Sequence, residues 1–367
     1  MQFTCDRQDL SNAISNVSRA VSGKSSLPAL EGILLRAEGN KVTLIGYNLE
    51  LGIWGDMEAA VAEEGEIVLN ARHFSDICRR LPSDSVSISV DKKQMVTIRS
   101  GKAEFSLIGI AAGEFPELPV LTDGKEFELD GGMLADMIAR TLFCVAASDV
   151  KPIWTGTYFE FKDGHLRLVS VDGYRMAIRE EPLTCMEDGS FIIPGRTLNE
   201  LLKFLQEGTA VSIRAGKKHV LFEVGDYTVI TRLIEGEFVN YEGAIPKTFI
   251  TELRVSTADL IESVERASVL ITERLRSPIK LNITDECIGV SCVTAQGKVS
   301  DEAPFVSKQG ENFEIGFNNK YLLDALRSSG CDEVRVLLGG AESPIRVLPL
   351  EGESFIFVVV PISPRRG

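Results

Sequence analysis

The chain has 367 residues, 44% of them hydrophobic and 25% charged, and a net charge of −14. That length is too great for one typical core and calls for two or three domains, and the balanced composition excludes a fibrous or disordered chain. An evenly spread charge of −14 would repel nucleic acid, so a nucleic-acid role requires bases gathered on one surface.

The start, "MQFTCDRQDL", meets charge within six residues and lacks the apolar run of a signal peptide. The longest apolar run, "FIFVVVPI" near the end, is far too short for a bilayer span. A soluble, cytoplasmic protein with no membrane partner is expected. Seven cysteines (Cys5, Cys78, Cys144, Cys185, Cys287, Cys292, Cys331) form no C-x-x-C pair, and some sit at apolar-periodic positions, as Cys78 does in "FSDICRRL". They read as small reduced hydrophobes, and neither zinc nor any other cofactor is called for.

In chain order, Phe3 opens a short strand and "DLSNAISNVSRAV" follows as an amphipathic helix. Alternating strands lead to "VLNARHFSDICRRLPSDSVSISV", which reads as strand, short helix, turn and strand. The same design returns in "IIPGRTLNELLKFLQEGTAVSIRA" and "IGFNNKYLLDALRSSGCDEVRVLL". Arg72, Arg196 and Lys320 are the anchors, 124 residues apart in both steps. From each anchor, apolar residues stand at +2 (Phe74, Leu198, Leu322) and +6 (Cys78, Leu202, Leu326). An acid stands at +4 (Asp76, Glu200, Asp324) and a base at +7 (Arg79, Lys203, Arg327). Helices "MLADMIARTLFCV" and "DLIESVERASVL" repeat the first helix, with Leu134 and Leu260 in the place of Leu10. Turns are expected at Asp163-Gly164 and Asp172-Gly173. "GEFPELP" and "GEFVNYEGAIP" read as linkers with an anchoring aromatic.

A period near 124 means three whole domains of one fold, with boundaries near 124 and 250: residues 1–124, 125–250 and 251–367. Each carries two helices and roughly eight strands, an α+β architecture of helices on antiparallel sheet. Free sheet edges must be paired or covered, and an open end could pair with a second chain. Residues i and i+7 lie close around a helix, so each second helix presents two bases and one acid away from the core. A solvated face with local ion pairs and an electrostatic track for DNA phosphates are both compatible with that pattern.

Signs of catalysis are thin. His73, His165 and His219 stand in no H-E-x-x-H, and there is no G-x-S-x-G or G-x-G-x-x-G. "SGKSS" ends like a phosphate-binding loop, but Ser18 occupies the place of its first glycine.

Several motifs together carry a family resemblance: "SLPAL" at Ser26, "DICRRLP" at Asp76, "SGKAEFSL" at Ser100, "GEFP" at Gly113, "SVDGYRMA" at Ser170, "EIGFNNKYLLDAL" at Glu314 and the ending "FVVVPI". End to end, the chain resembles the bacterial beta sliding clamp, the processivity subunit of DNA polymerase III. The resemblance implies the DNA clamp fold and a ring-shaped head-to-tail homodimer around double-stranded DNA, with no catalytic site. Implied partners are the clamp loader, the polymerase III catalytic subunit, and other polymerases or repair proteins carrying clamp-binding peptides. DNA-facing bases would be Lys24, Arg72, Arg79, Arg196, Lys203, Lys320 and Arg327. Ring closure would set Phe105 and Leu107 against Val269, Leu270 and Ile271 of the second copy. A hydrophobic peptide pocket between the second and third domains would use Trp154, Val171, Gly173, Tyr174, Arg175, Met176, Pro246, Tyr321, Pro344, Val358, Val360, Pro361 and Ile362. The chain departs from the family pattern at Trp154, Val171 and Tyr174, where a small or aliphatic residue, Thr and His are usual, which implies a bulkier, more apolar wall. It also ends in a basic tail after Ile362, expected to be flexible. The rival readings are a monomeric peptide-binding scaffold and a hydrolase using an inter-domain cleft.

Overall fold

The computed structural model describes residues 1–147, 151–184, 187–272 and 277–362. Cys185 and the basic tail from Ser363 lie outside the described residues. Three tandem domains each open with a strand that leads directly into a helix. The first holds β1 (Gln2–Asp6), α1 (Arg7–Val17), β2 (Gly32–Glu38), β3 (Lys41–Tyr47), β4 (Leu51–Glu58), β5 (Ala60–Glu63), β6 (Gly65–Asn70), α2 (Ala71–Cys78), β7 (Ser85–Val90), β8 (Met95–Ser100) and β9 (Ala103–Ile108). The second holds β10 (Lys125–Asp130), α3 (Gly131–Ala139), β11 (Gly156–Lys162), β12 (His165–Val171), β13 (Arg175–Pro182), β14 (Gly189–Pro194), α4 (Gly195–Leu201), β15 (Ala210–Ala215), β16 (His219–Val224) and β17 (Tyr227–Arg232). The third holds β18 (Thr251–Ser256), α5 (Thr257–Ser268), β19 (Ile279–Ile283), β20 (Ile288–Thr294), β21 (Gly297–Ala303), β22 (Ser307–Gly310), β23 (Phe313–Phe317), α6 (Asn319–Ser329), β24 (Glu333–Leu338), β25 (Ile345–Leu348) and β26 (Phe355–Val359).

Local chemistry sets the helix starts. Asp6 caps α1 by accepting from the amides of Gln8 and Asp9, Asn70 caps α2 through His73, Ser256 caps α5 through Asp259, and Asn318 caps α6 through Lys320. Leu10, Ile14 and Val17 of α1 are buried, as the 3.6-residue period requires. The helix ends differ from the sequence expectation. α3 stops at Ala139, where the buried Thr141 hydroxyl donates to the carbonyls of Met137 and Ile138 and competes with continuation. α2 and α4 close in tight turns, with the amides of Arg80, Lys203 and Phe204 donating three residues back. Arg79 and Lys203 therefore sit just beyond their helices, and α6 is the one second helix that contains both repeat bases.

By contacts the chain forms two compact units, Met1–Gly132 with Glu200–Leu233, and Met133–Asn199 with Ile234–Gly367. The first unit contains a five-stranded sheet, β5-β1-β7-β8-β9, and an eight-stranded one, β10-β15-β16-β17-β4-β3-β2-β6. All pairings are antiparallel, and the β17–β4 pairing, Tyr227↔Gly55 to Thr231↔Leu51, joins strands of two domains in one sheet. Gly55 is needed there, because a Cβ would lie 2.6 Å from the Tyr227 ring. Phe115 of the first linker is buried with Ala29, Leu30, Leu34, Ile45 and Val68.

The second unit contains a nine-stranded sheet, β14-β11-β12-β13-β26-β25-β24-β18-β22, and a four-stranded one, β21-β20-β19-β23. Here β13 pairs with β26 from Arg175↔Val359 to Arg179↔Phe355, again across two domains. The core packs α5 and α6 residues such as Leu260, Val264, Leu322 and Leu326 against Ile279, Val290, Phe317 and Phe357. Each large side chain fully removed from water there stabilises the fold by roughly 1.5–3 kcal/mol. Phe238 of the second linker stacks on Tyr158 at 4.8 Å, and the buried Tyr241 donates its hydroxyl to Glu160. The expected turn at Asp163-Gly164 is present, with both residues at positive φ.

Candidate functional site

All seven candidate DNA-facing bases are exposed. In the first unit these are Lys24, in the loop before Pro28, with Arg72, Arg79 and Lys203. In the second they are Arg196, Lys320 and Arg327. Phe74, Cys78, Leu198, Leu322 and Leu326 are buried and Leu202 is half-buried on the opposite side of these elements, which turns the bases outward. The bases differ in company. Lys203 Nζ lies 3.3 Å from Glu200, which also meets Arg19 at 3.2 Å. Arg327 is hydrogen-bonded to Glu265 on α5. Lys24, Arg72, Arg79, Arg196 and Lys320 have no ion pair among the described residues.

The repeated acid at +4 does three jobs. Asp76 serves Arg80 at 3.6 Å, Glu200 serves Lys203 and Arg19, and Asp324 takes Arg175 at 2.6 Å. The last use departs from the sequence expectation of a solvated acid. A carboxylate on α6 adjoining β13 finds a buried guanidinium, and that attraction outweighs hydration.

Two sheet edges lie near the candidate closure residues. In the first unit β9 pairs with β8 alone, and Phe105 and Leu107 alternate as half-buried side chains with exposed Glu104, Ser106 and Ile108. In the second unit β21 is likewise an edge, paired with β20 alone. Beside it Val269, just past α5, is 75% exposed, and the Leu270 side chain lies against the Gly297 position on β21. Ile271 instead packs partly against its own unit's core.

The candidate peptide-pocket residues all belong to the second unit. A groove of about 530 Å³ is lined by Ile271, Thr272, Ser277, Asn318, Asn319, Lys320, Tyr321 and Ile362. Of the pocket candidates, Tyr321 and Ile362 line this groove. Exposed Tyr174 stacks on Tyr321 at 6.0 Å, and its carbonyl accepts from the Val360 amide. Ile362 is anchored by its amide to the Gly316 carbonyl. Pro361 is buried, and Pro246 and Pro344 are half-buried. Met176 and Val358, paired across β13 and β26, lie under the surface in a cluster with Val171, Ile178 and Tyr241. Trp154 stands against Gly173, where a Cβ would fall 2.9 Å from the indole, and Lys151 lies over its ring at 3.8 Å.

Arg175 is the most constrained of these residues. It is 8% exposed, bonded by Nε to Asp172 at 2.9 Å and by Nη1 to Asp324 at 2.6 Å, and its guanidinium lies 4.5 Å from the Tyr321 ring centre. Burial works against its charge, but the bonds to Asp324 and Asp172 outweigh that and raise its pKa above the ordinary value. Asp172 is fixed in turn, accepting from the amides of Tyr174 and Arg175. Asp172, Asp324, Phe143 and Lys151 thus support the pocket candidates; the sequence marks Asp172 as a turn residue and Asp324 as a repeated acid but gives neither this role, and it marks Phe143 and Lys151 not at all. The "SVDGY" turn was the available signal for Asp172.

Neither a group of metal-ligating side chains nor a helix long and apolar enough to cross a membrane is found among the described residues. Two-helix domains in tandem, joined by shared antiparallel sheets, define a clamp-type chain. Residues 1–119, 128–240 and 242–363 match the models of the N-terminal, central and C-terminal domains of the DNA polymerase III beta subunit. The chain belongs to that family. It is 32% identical to a beta sliding clamp of Halalkalibacterium halodurans, over 99% of both chains. Among solved structures it is similar to the DNA polymerase sliding clamp of Bacillus subtilis (TM-score 0.96, 30% identity, 99% of both chains). It is also similar to a sliding clamp of Pseudomonas aeruginosa bound to griselimycin (TM-score 0.94, 29% identity, 99% of this chain and 100% of that one).

Proposed function

We propose that the chain is a DNA sliding clamp, a head-to-tail homodimer that closes around duplex DNA and tethers the replicative polymerase. The observation that carries this reading is the threefold recurrence of outward bases on the second-helix elements, together with full-length membership of the beta-subunit family. The domains are residues 1–124, 125–250 and 251–367. Lys24, Arg72, Arg79, Arg196, Lys203, Lys320 and Arg327 contact phosphates, which carry no sequence information, so binding is unspecific. Topology rather than affinity retains the ring, and weak contacts keep sliding easy.

Closure joins the free β9 edge of one copy to the free β21 edge of the other, with Phe105 and Leu107 against Val269 and Leu270 and the flank of Ile271. Such an interface is heterologous and closes by rotation. The groove by Tyr321 and Ile362, walled by Tyr174 and supported by Arg175, takes apolar side chains of short peptides from the clamp loader, the polymerase III catalytic subunit and other polymerases or repair proteins. No residue acts as a catalyst or holds a cofactor, and the protein works in the cytoplasm on the chromosome. Light scattering across protein concentration tests the assembly. A mass near twice 40.2 kDa is expected, falling to one chain when Phe105 and Leu107 become Asp. A strict monomer at high micromolar concentration would defeat ring closure and favour a peptide-binding scaffold.

A further inference from the structure

The bases are not equivalent in their surroundings. Arg72, Arg196 and Lys320, at the start of each second helix, carry no ion pair among the described residues. Seven residues on, Lys203 is held by Glu200 and Arg327 by Glu265. In the first repeat, Arg79 escapes this because Asp76 is drawn to Arg80, whose Nη1 also bonds the Asp76 carbonyl at 2.7 Å. Arg327 and Glu265 are each about half exposed, at 51% and 48%. Ion pairs so open to water contribute little to fold stability. Their consequence is electrostatic: a phosphate approaching Arg327 must displace a carboxylate already in place.

We infer that Glu265 and Glu200 are built-in competitors of DNA phosphate, which weaken two of the repeated basic contacts and leave the first-turn bases and Arg79 as the principal grips. This rests on the DNA-encircling reading above. An Arg327 paired with Glu265 exchanges one anion for another as a phosphate passes, so it gains little at any one position on the duplex. Its net neutralisation of phosphate is smaller, so fewer of the counterions condensed on the DNA are released. Glu200 acts likewise on Lys203, but it also ties down Arg19, whose Nε is buried without a hydrogen-bond partner. Glu265 is therefore the cleaner residue to change.

The experiment measures equilibrium binding of the full-length protein to a fluorescent 30-base-pair duplex by anisotropy, from 50 to 300 mM NaCl. Four proteins are compared: the parent, E265Q, R327Q and E265Q/R327Q. Melting curves are recorded in parallel to show that all four are folded. Freeing one base for a phosphate should steepen the slope of log K against log salt by up to about 0.9 in E265Q and tighten binding about eightfold at 100 mM salt. R327Q should then cost more in the E265Q background than in the parent, and the double variant should lose the gain. An E265Q slope and affinity equal to the parent's overturn the inference. So does a gain that survives R327Q, because it would come from overall charge and not from the pair. Salt-dependent binding with an unchanged E265Q slope defeats this inference alone. No duplex binding by any of the four also defeats this inference, since no phosphate grip is then left to weaken, while the DNA-encircling reading is tested separately by retention on circular DNA.

Discussion

Arg175→Met is the substitution whose effect the structure bounds best. The guanidinium, 8% exposed, stands between Asp172 and Asp324, whose side chains are 12% and 22% exposed. Removing it leaves two carboxylates near one another with their shared partner gone. Breaking a buried pair in this way costs about 3–5 kcal/mol, and the residual hydration of Asp324 points to the lower end, about 3 kcal/mol. Loss of the contact with the Tyr321 ring is included in that figure. Asp324→Leu alone leaves the guanidinium its bond to Asp172 and should cost less, about 2 kcal/mol. The double variant R175M/D324L should cost less than the sum by at least about 1 kcal/mol, because the second change removes a charge that the first left unpaired.

The chain has two tryptophans, Trp54 in the first unit and Trp154 in the second. In a Trp54→Phe background, denaturant unfolding followed by fluorescence reports the second unit, which contains the pair. A loss below about 1 kcal/mol for R175M, or strict additivity with D324L, would refute the account of Arg175 as the tie between β13 and α6.

Further outcomes are expected at other sites. Trp154→Ala removes the ring over Gly173 and should shift peptide preference toward a bulkier apolar side chain by about tenfold in the Kd ratio. Anisotropy with a Leu/Phe peptide pair measures this, and an unchanged ratio would place Trp154 outside the contact. Burial pushes the Cys5 and Cys78 thiols up to about 12, with nearby acids adding to the Cys5 shift, so native alkylation at pH 8 should spare both while half-buried Cys287 reacts. Mass spectrometry of modified Cys5 or Cys78 in the folded protein would contradict this. Burial, then Arg232 and Lys218, lower the His219 pKa, so the unfolded chain binds more protons below about pH 6.5. The stability of the first unit should rise with pH through that window, and His219→Gln should flatten the rise. An identical pH slope in the variant would remove His219 from the balance.

The repeat made much of the fold legible, because each second helix keeps its apolar residues at +2 and +6 and its bases in register. α2, α4 and α6 begin 124 residues apart, as their anchors do. What the pattern could not carry was partner choice at long range. Asp76, Glu200 and Asp324 look alike in sequence, yet their partners lie in the turn that closes the same helix, on another domain's segment, and on β13. Helix length was overread for the same reason: periodicity continues through Thr141 and Lys203, while the competing hydrogen bonds that end those helices leave no periodic trace. Among the pocket candidates, the turn at Asp172 was readable, but the burial of Met176 and Val358 depends on β13 meeting β26 from another domain.

Retention on circular DNA tests the central claim most directly. The protein is loaded on a nicked plasmid with its cognate clamp loader and ATP, isolated by gel filtration in high salt, and the plasmid is then cut once. A closed ring should stay on the circle and leave after the cut. Equal retention on circular and linear DNA, or loss from both, would contradict encirclement.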